Sequence, residues 1–390
     1  MSTEVSARTL PRLPPIEVGS RIAEIVDALP GLDAQRGIDA LLVSNRTNIR
    51  WLTGFTGSNG WVVARPDELI VVTDGRYGDQ ARRQLEAGDA AGTVPFRVAV
   101  GRSGAELLEL LADALDGCAR VGFESEHVSH RQFVDHTAAI SAWLVPTVGV
   151  IEHRRRLKCP AEIARIEMAC EIADQALADV VGSVMPGVTE IAVRDALERR
   201  MRELGADGPS YETIVAAGPV NAPLPHHHPS PTMIESGHTV IVDVGALVDG
   251  HHSDMTRTFL VGTTTALQRE VYDVVLAAQV AGVTAIRPGV TTRELDAACR
   301  SVIADAGFGE WFIHGTGHGV GLLIHEDPFV NASGQGELQV GDVVTVEPGV
   351  YRGDFGGVRV EDLVEVTATG CRVLTRSPKD SPCLPSAPTT

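Results

Sequence analysis

The sequence predicts a mixed α/β (α+β) protein of two domains, the second built from two similar halves. Three observations carry that reading. Strand-like and helix-like patterns alternate through the first third of the chain, a basic stretch ending in Cys159-Pro160 closes that rhythm, and a Pro-Gly-Val-Thr string occurs twice beyond it.

The apolar runs Ile38–Val43, Leu69–Thr73, Phe96–Val100 and Val121–Glu124 read as strands, with helical patterns near 78–87, 104–116 and 129–143 between and after them. Together they predict a small α/β domain over residues 18–155. Residues 1–17, with scattered charges and prolines, read as a disordered leader. Residues 377–390, rich in Pro, Ser and Thr, read as a flexible tail.

Pro160 suits the first turn of a helix, and an amphipathic pattern runs from Ala161 to about Val184. It opens a second domain, residues 156–376. Within it, Pro186-Gly187-Val188-Thr189 recurs as Pro288-Gly289-Val290-Thr291, each copy between helical segments, with Ile191–Leu204 after the first and Leu295–Ala306 after the second. Thr291 with Glu294 forms a capping-box pattern. A duplicated α/β half follows, and two packed halves leave a cleft, a common place for a site.

Composition narrows the class. The chain has 390 residues, 44% hydrophobic, and a formal charge of −18, which disfavours nucleic-acid or anionic-membrane partners. No signal-peptide core or run of about 18 apolar residues occurs, so the expectation is a cytoplasmic protein with no membrane span. Six cysteines, none in a C-x-x-C pair, read as reduced and mostly buried thiols.

Five segments of the second domain place an acidic residue or histidine in apolar or Gly-rich sequence. Asp243 interrupts the run Val240–Val244, and Asp254 opens the strand-like Ser253–Phe259. Charge in such a run is costly unless compensated. Asp249-Gly250 between them signals a hairpin. A turn centred between Val248 and Asp249 sets Asp243 and Asp254 directly opposite, with β-carbons about 5 Å apart. Such a pair needs a cation or a shared proton; the plainer reading pairs Asp254 with Arg257. The third segment, His314-Gly315-Thr316-Gly317-His318-Gly319-Val320-Gly321, runs into His325-Glu326-Asp327-Pro328, and its glycines let backbone approach a ligand closely. Glu347 in Thr345–Gly349 and Glu361 in Val358–Val364 complete the set. Period-two alternation sends Arg359 and Glu361 to one face, where a structural ion pair is the alternative.

Four carboxylates and one imidazole are mostly hard donors. They suit Mn²⁺, with Zn²⁺, Co²⁺ or Fe²⁺ also compatible. Bridging carboxylates suit two ions about 3.5–4 Å apart, which acidify a shared water and polarise a peptide carbonyl. No G-x-S-x-G elbow is present.

The strings VDVGA, HSDMTRTF, HGTGHGVGLLIHEDP, VEPGVY and VRVEDLVEV resemble the pita-bread metallopeptidases, specifically the Xaa-Pro peptidases, aminopeptidase P and prolidase. Asn48–Gly60 and Thr73–Tyr77 resemble that group's creatinase-like N-terminal domain, and the likeness spans about residues 18 to 376. The resemblance implies that Asp243 chelates one manganese ion, that His318 and Glu347 hold the other, and that Asp254 and Glu361 bridge both. It implies roles for His226, His314 and His325, with His226 and His325 on the substrate, for Arg359 and Tyr351 near the metals, and for Glu347 as proton shuttle. An extra residue between Gly218 and Asn221 departs from the family pattern, leaving the choice among His226, His227 and His228 to be made; His226 is favoured, and the other two are expected at the rim. His251 and His252, beside the turn, are expected to be solvated.

By the same resemblance, the substrates are proline-containing peptides or dipeptides and the assembly a homodimer or tetramer. An Xaa-Pro aminopeptidase is the leading reading. A prolidase restricted to dipeptides is the main alternative. Creatinase, methionine aminopeptidase and an inactive pita-bread binding module are disfavoured by the retained ligand set and, for methionine aminopeptidase, by the extra N-terminal domain.

Overall fold

The computed structural model describes residues 12–33, 36–92 and 94–384. They form two compact units, one of residues 14–155 and one running from Arg156 onward and including Leu13.

The first unit is a six-stranded sheet in the order Phe96–Gly101, Leu69–Asp74, Trp61–Ala64, Ala40–Val43, Arg120–Glu124, Trp143–Thr147. The central pairings are antiparallel and the outer ones parallel. Ala40–Val43 is buried at every position, as a strand covered on both faces requires. Helices Gly78–Ala87, Gly104–Ala114 and His130–Ala139 lie in the predicted ranges. The last stops short of residue 143 because Trp143–Thr147 is the edge strand, a position that accommodates Pro146. Helices Gly19–Ala28 and Arg46–Thr53 were not anticipated; the second is capped by the Asn45 side chain and ended by Gly54 at φ 71°.

In the second unit, helices Pro160–Val180 and Glu190–Glu203 share a core with a sheet ordered Cys383–Leu384, Thr256–Val261, Thr239–Asp243, Ile214–Ala217. Ile172, Leu177, Leu197, Val240 and Val242 lie in that core. Helices Ala266–Ala285 and Thr292–Asp305 share a second core with a sheet ordered Glu326–Val330, Gly317–Gly319, Val343–Val346, Asp362–Thr367, Gly370–Val373. Val271, Leu295, Ile303, Val344 and Val364 lie there. A hairpin, Gly349–Arg352 with Gly356–Arg359, adds to the second half.

The twice-written string makes the same turn in both halves. Gly187 (φ 89°) and Gly289 (φ 84°) take left-handed conformations that favour glycine. Their amides donate to the Ile234 and Leu338 carbonyls at 2.9 and 2.8 Å. Thr189 and Thr291 then cap the next helices, and Glu294 closes the predicted capping box back onto Thr291.

Two expectations about the ends change. Residues 377–384, expected to be loose, are fastened. The Ser377 carbonyl accepts from Arg257 Nε and a terminal guanidinium nitrogen at 3.0 and 2.7 Å, Ser377 Oγ donates to Asp174 at 2.7 Å, and Cys383–Leu384 runs parallel to Leu260–Val261. The buried Arg257 needs acceptors and an edge strand has free backbone groups, and neither need is visible in the tail's own composition. The rest of the predicted tail, and most of the predicted leader, lie outside the described residues; Leu13 packs against the first core. Of the six free cysteines only Cys170 and Cys299 are buried, fewer than expected. Among the described residues no helix is long and apolar enough to cross a membrane.

Candidate metal centre

The hairpin that presents the two aspartates turns one position later than predicted. Val248 pairs with His251, so Asp249 (φ 44°) and Gly250 (φ 68°) form a two-residue loop with both residues left-handed, as a type I′ turn requires. That register pairs Asp243 with Thr256, not with Asp254. Asp254 lies in the break before Thr256–Val261 and meets Asp243 on the diagonal, still within reach of its neighbour. The Tyr211 hydroxyl bridges the pair, within hydrogen-bond distance of both Asp243 Oδ1 and Asp254 Oδ1.

Asp243, Asp254 and Glu361 bring carboxylate oxygens within 4.8 Å of one another. Burial raises the pKa of Asp254 well above the carboxylate range, with Asp243 and Glu347 adding repulsion. Burial does the same to Glu361, with Asp254 and Glu347 adding to it. Glu361 Oε1 is buried and has no hydrogen-bond partner among the described residues. His318 Nδ1 lies 3.1 Å from the Gly319 carbonyl, which can only accept, so the proton sits on Nδ1 and the Nε2 lone pair is free. Nε2 faces Asp254 Oδ2 at 3.6 Å and Glu347 Oε1 at 3.4 Å, too far for good hydrogen bonds. Crowded anions, an orphaned oxygen and an aimed lone pair fit divalent cations, whose charge removes the repulsion.

Around this cluster is a cavity of about 420 Å³ lined also by His226, His314, His325, Phe329 and Arg359. Arg359 donates to Asp243 Oδ2 at 2.6 Å, to Thr256 Oγ1 at 3.0 Å and to the Tyr351 hydroxyl at 2.8 Å. The Tyr351 hydroxyl lies 2.9 Å from His314 Nε2, whose Nδ1 lies 2.7 Å from the Gly315 carbonyl. His314 is therefore held in one tautomer, accepting from Tyr351. Burial pushes the Tyr351 phenol up to about 12, keeping it a donor. His325 is exposed, its ring edge-on to His318 with centroids 4.4 Å apart. The neighbouring Glu326 forms a buried ion pair with Lys158 at 2.6 Å, which fastens the strand that His325 precedes.

Both plainer pairings fail. Arg257 pairs with Asp362 at 2.8 Å, leaving Asp254 in the cluster. Arg359 pairs with Asp243 rather than Glu361, which instead accepts from Thr256 Oγ1 at 2.7 Å. Of the histidine triplet, His226 and His228 are exposed, and His227 turns inward to Glu190 at 2.8 Å. His251 and His252 are not solvated. His251 is 1% exposed, and burial pulls the His252 pKa down to about 4, because the turn folds back under the helix that opens at Pro160. Sequence reasoning missed Tyr211 and Thr256. Thr256 stands two residues after Asp254 in a quoted string and was within reach of a period-two argument; Tyr211 has no local signal at all.

The fold and this donor set define a metal-dependent hydrolase, two sheet-and-helix halves enclosing a carboxylate cluster. The chain belongs to metallopeptidase family M24, whose model matches residues 164–368, and the creatinase/prolidase N-terminal domain matches residues 26–157. A peptidase of Bacillus subtilis, YqhT, is 40% identical over 91% of this chain and 98% of its own length. An Xaa-Pro dipeptidase from Bacillus anthracis superposes with a TM-score of 0.88 at 36% identity, over 94% of this chain and 99% of that one. An X-Pro aminopeptidase from Thermotoga maritima superposes with a TM-score of 0.81 at 30% identity, over 89% and 98%. The architecture is thus the pita-bread fold behind a creatinase-like domain.

Proposed function

We propose that this chain is an Xaa-Pro aminopeptidase, removing an N-terminal residue that precedes proline, with residues 156–376 as its catalytic domain and residues 18–155 ahead of it. The observation that carries the reading is the buried cluster of Asp243, Asp254 and Glu361 with the His318 lone pair and Glu347 facing it. Two divalent ions held by these five residues, manganese first among them, would supply an activated water and an electrophile for the scissile carbonyl.

The chain's own groups divide the remaining work. Glu347 has one oxygen 3.2 Å from the Thr345 hydroxyl and is only partly buried, so it can take a proton from the attacking water and pass it to the proline nitrogen. His226 and His325, exposed at the cavity, can donate to the carbonyl oxygen as its charge develops. Arg359, Tyr351 and His314 form a fixed hydrogen-bonded series that orients Asp243 and one cavity wall.

The relatives include both dipeptidases and aminopeptidases. The cavity favours the second. A dipeptide brings a free carboxylate close to the scissile bond, yet among the described lining residues the sole guanidinium or ammonium is Arg359, already engaged by Asp243, while Ile324 and Phe329 line the cavity with apolar surface. The deciding assay offers the purified protein Ala-Pro and an Arg-Pro-Pro-type peptide in Mn²⁺, before and after chelation. Chelator-sensitive release of the first residue from the longer peptide is expected; cleavage of the dipeptide alone would establish the prolidase reading instead. A metal-free protein that is inert toward both substrates and binds another protein would support the binding-module reading.

A further inference from the structure

The loop between Ala217 and Ser230 carries His226 into the cavity, and it is gathered around one buried acid. Glu190 is the first residue of helix Glu190–Glu203 and is 0% exposed. Its Oε1 accepts from the Ala217 amide at 2.7 Å and Asn221 Nδ2 at 2.9 Å. Its Oε2 accepts from the Ser230 amide at 2.9 Å, Ser230 Oγ at 2.7 Å and His227 Nε2 at 2.8 Å. Five donors from both ends and the middle of one loop converge on a single carboxylate, at a helix N-terminus that favours negative charge. Buried charge so fully satisfied is expensive to disturb, because each lost partner leaves a desolvated group behind.

We infer that Glu190 is a positioning residue for the reaction: its carboxylate closes the 217–230 loop so that His226 stands over the metal cluster, and His227 serves this anchor rather than the substrate. The loop's far side is steadied by the Pro225 carbonyl, 3.4 Å from the Arg359 guanidinium. The other half has a counterpart. Asp296, 1% exposed, accepts from the Thr316 amide and hydroxyl at 3.2 and 2.9 Å, and its partner Arg300 donates to the His314 carbonyl at 2.8 Å. In both halves a buried acid on the second helix holds the backbone that displays a cavity histidine.

The inference rests on the peptidase reading, and a coupling experiment separates the two. Glu190→Gln keeps the shape but turns an NH₂ group toward donors; a misplaced His226 should lower kcat about 10- to 100-fold with KM little changed. Bound metal per chain should equal that of the parent, since no proposed ligand lies on the loop. His227→Gln, a milder change that secures the test if Glu190→Gln does not fold, should cost about 3- to 10-fold, the worth of one hydrogen bond. The decisive readout is non-additivity: combined with His226→Ala, either variant should be no slower than His226→Ala alone. Multiplying effects, activity within twofold of the parent, or loss of metal would each overturn the positioning role. A parent protein with no chelator-sensitive hydrolysis of proline peptides would remove the peptidase reading, and this inference with it.

Discussion

The two halves of the second unit share a scaffold and differ in what they hang on it. Each has a helix pair joined through Pro-Gly-Val-Thr, with the glycine left-handed, the threonine capping the next helix and the backbone bridging to a later segment. The residue after each threonine already diverges: Glu190 is buried with five donors, while Thr292 is buried against Gly334 with its hydroxyl unpartnered among the described residues. The first half contributes Asp243 and Asp254 from one hairpin. The second contributes His318, Glu347 and Glu361 from a bulged strand and two strand ends. Duplication supplies the cleft, and the unlike sheet ends supply the acids and the imidazole that face it.

The strongest way to break this comparison is at the ligands themselves. Chelation, or Asp254→Ala, should lower hydrolysis at least about a thousandfold, because water activation is lost rather than weakened. Metal analysis sharpens it: if two ions bind as proposed, Asp254→Ala, at the proposed bridging position, should lose both, whereas His318→Ala should keep about one equivalent, the ion assigned to Asp243. Equal retention in the two variants would mean that the halves do not divide the ligands as described.

A smaller effect tests the packing of the second half. A Cβ on Gly282 would lie 2.4 Å from Cys299 Sγ and 2.7 Å from Val346 Cγ1, between the helix pair and the strand leading to Glu347. Gly282→Ala should cost about 1–3 kcal/mol, read as a lower Tm. An unchanged Tm would show that this core yields where its close packing says it should not.

The duplication itself predicts equality. Gly187 and Gly289 share a left-handed φ, and a Cβ at either meets nothing within 4 Å among the described residues. Alanine at each should therefore cost the same about 1–2 kcal/mol of backbone strain and nothing else. Denaturant midpoints that differ by more than the smaller shift would argue against equivalent turns.

The smallest effect lies in the other unit and serves as a control. His136 is 2% exposed beside Trp61, and burial lowers its pKa below the ordinary histidine value of about 6.5. The neutral ring is the stable one, so this contribution is fully present above about pH 6.5 and is lost as pH falls below it. His136→Phe should flatten the dependence of stability on pH between about 7 and 5, and an unchanged pH dependence would show that this buried ring carries none of it.

Much of this was legible because it is local. Strand periodicity, the Thr291–Glu294 box, Pro160 at a helix start and Asp249-Gly250 at a turn each depend on residues a few positions apart, and each occurs in the structure. The four acids proposed as ligands stood out because charge in apolar sequence demands a compensating partner wherever that partner comes from, and the proposed histidine stood out by its glycine-rich surroundings. The one-position error in the hairpin arose from choosing a register that set two aspartates opposite, when the turn's own conformational demand decided it.

The sequence by itself determined the element types, the duplicated half and the residues that carry charge into the core, because propensity, capping and burial cost act through near neighbours. Only the tertiary structure decided partners: Tyr211 across the two aspartates, Arg257 on Asp362, Arg359 on Asp243, Glu190 beneath the histidine loop, and residues 377–384 along a sheet edge. A buried donor takes whichever acceptor the fold brings within about 3 Å, and that acceptor can lie a hundred residues away with no mark of its own.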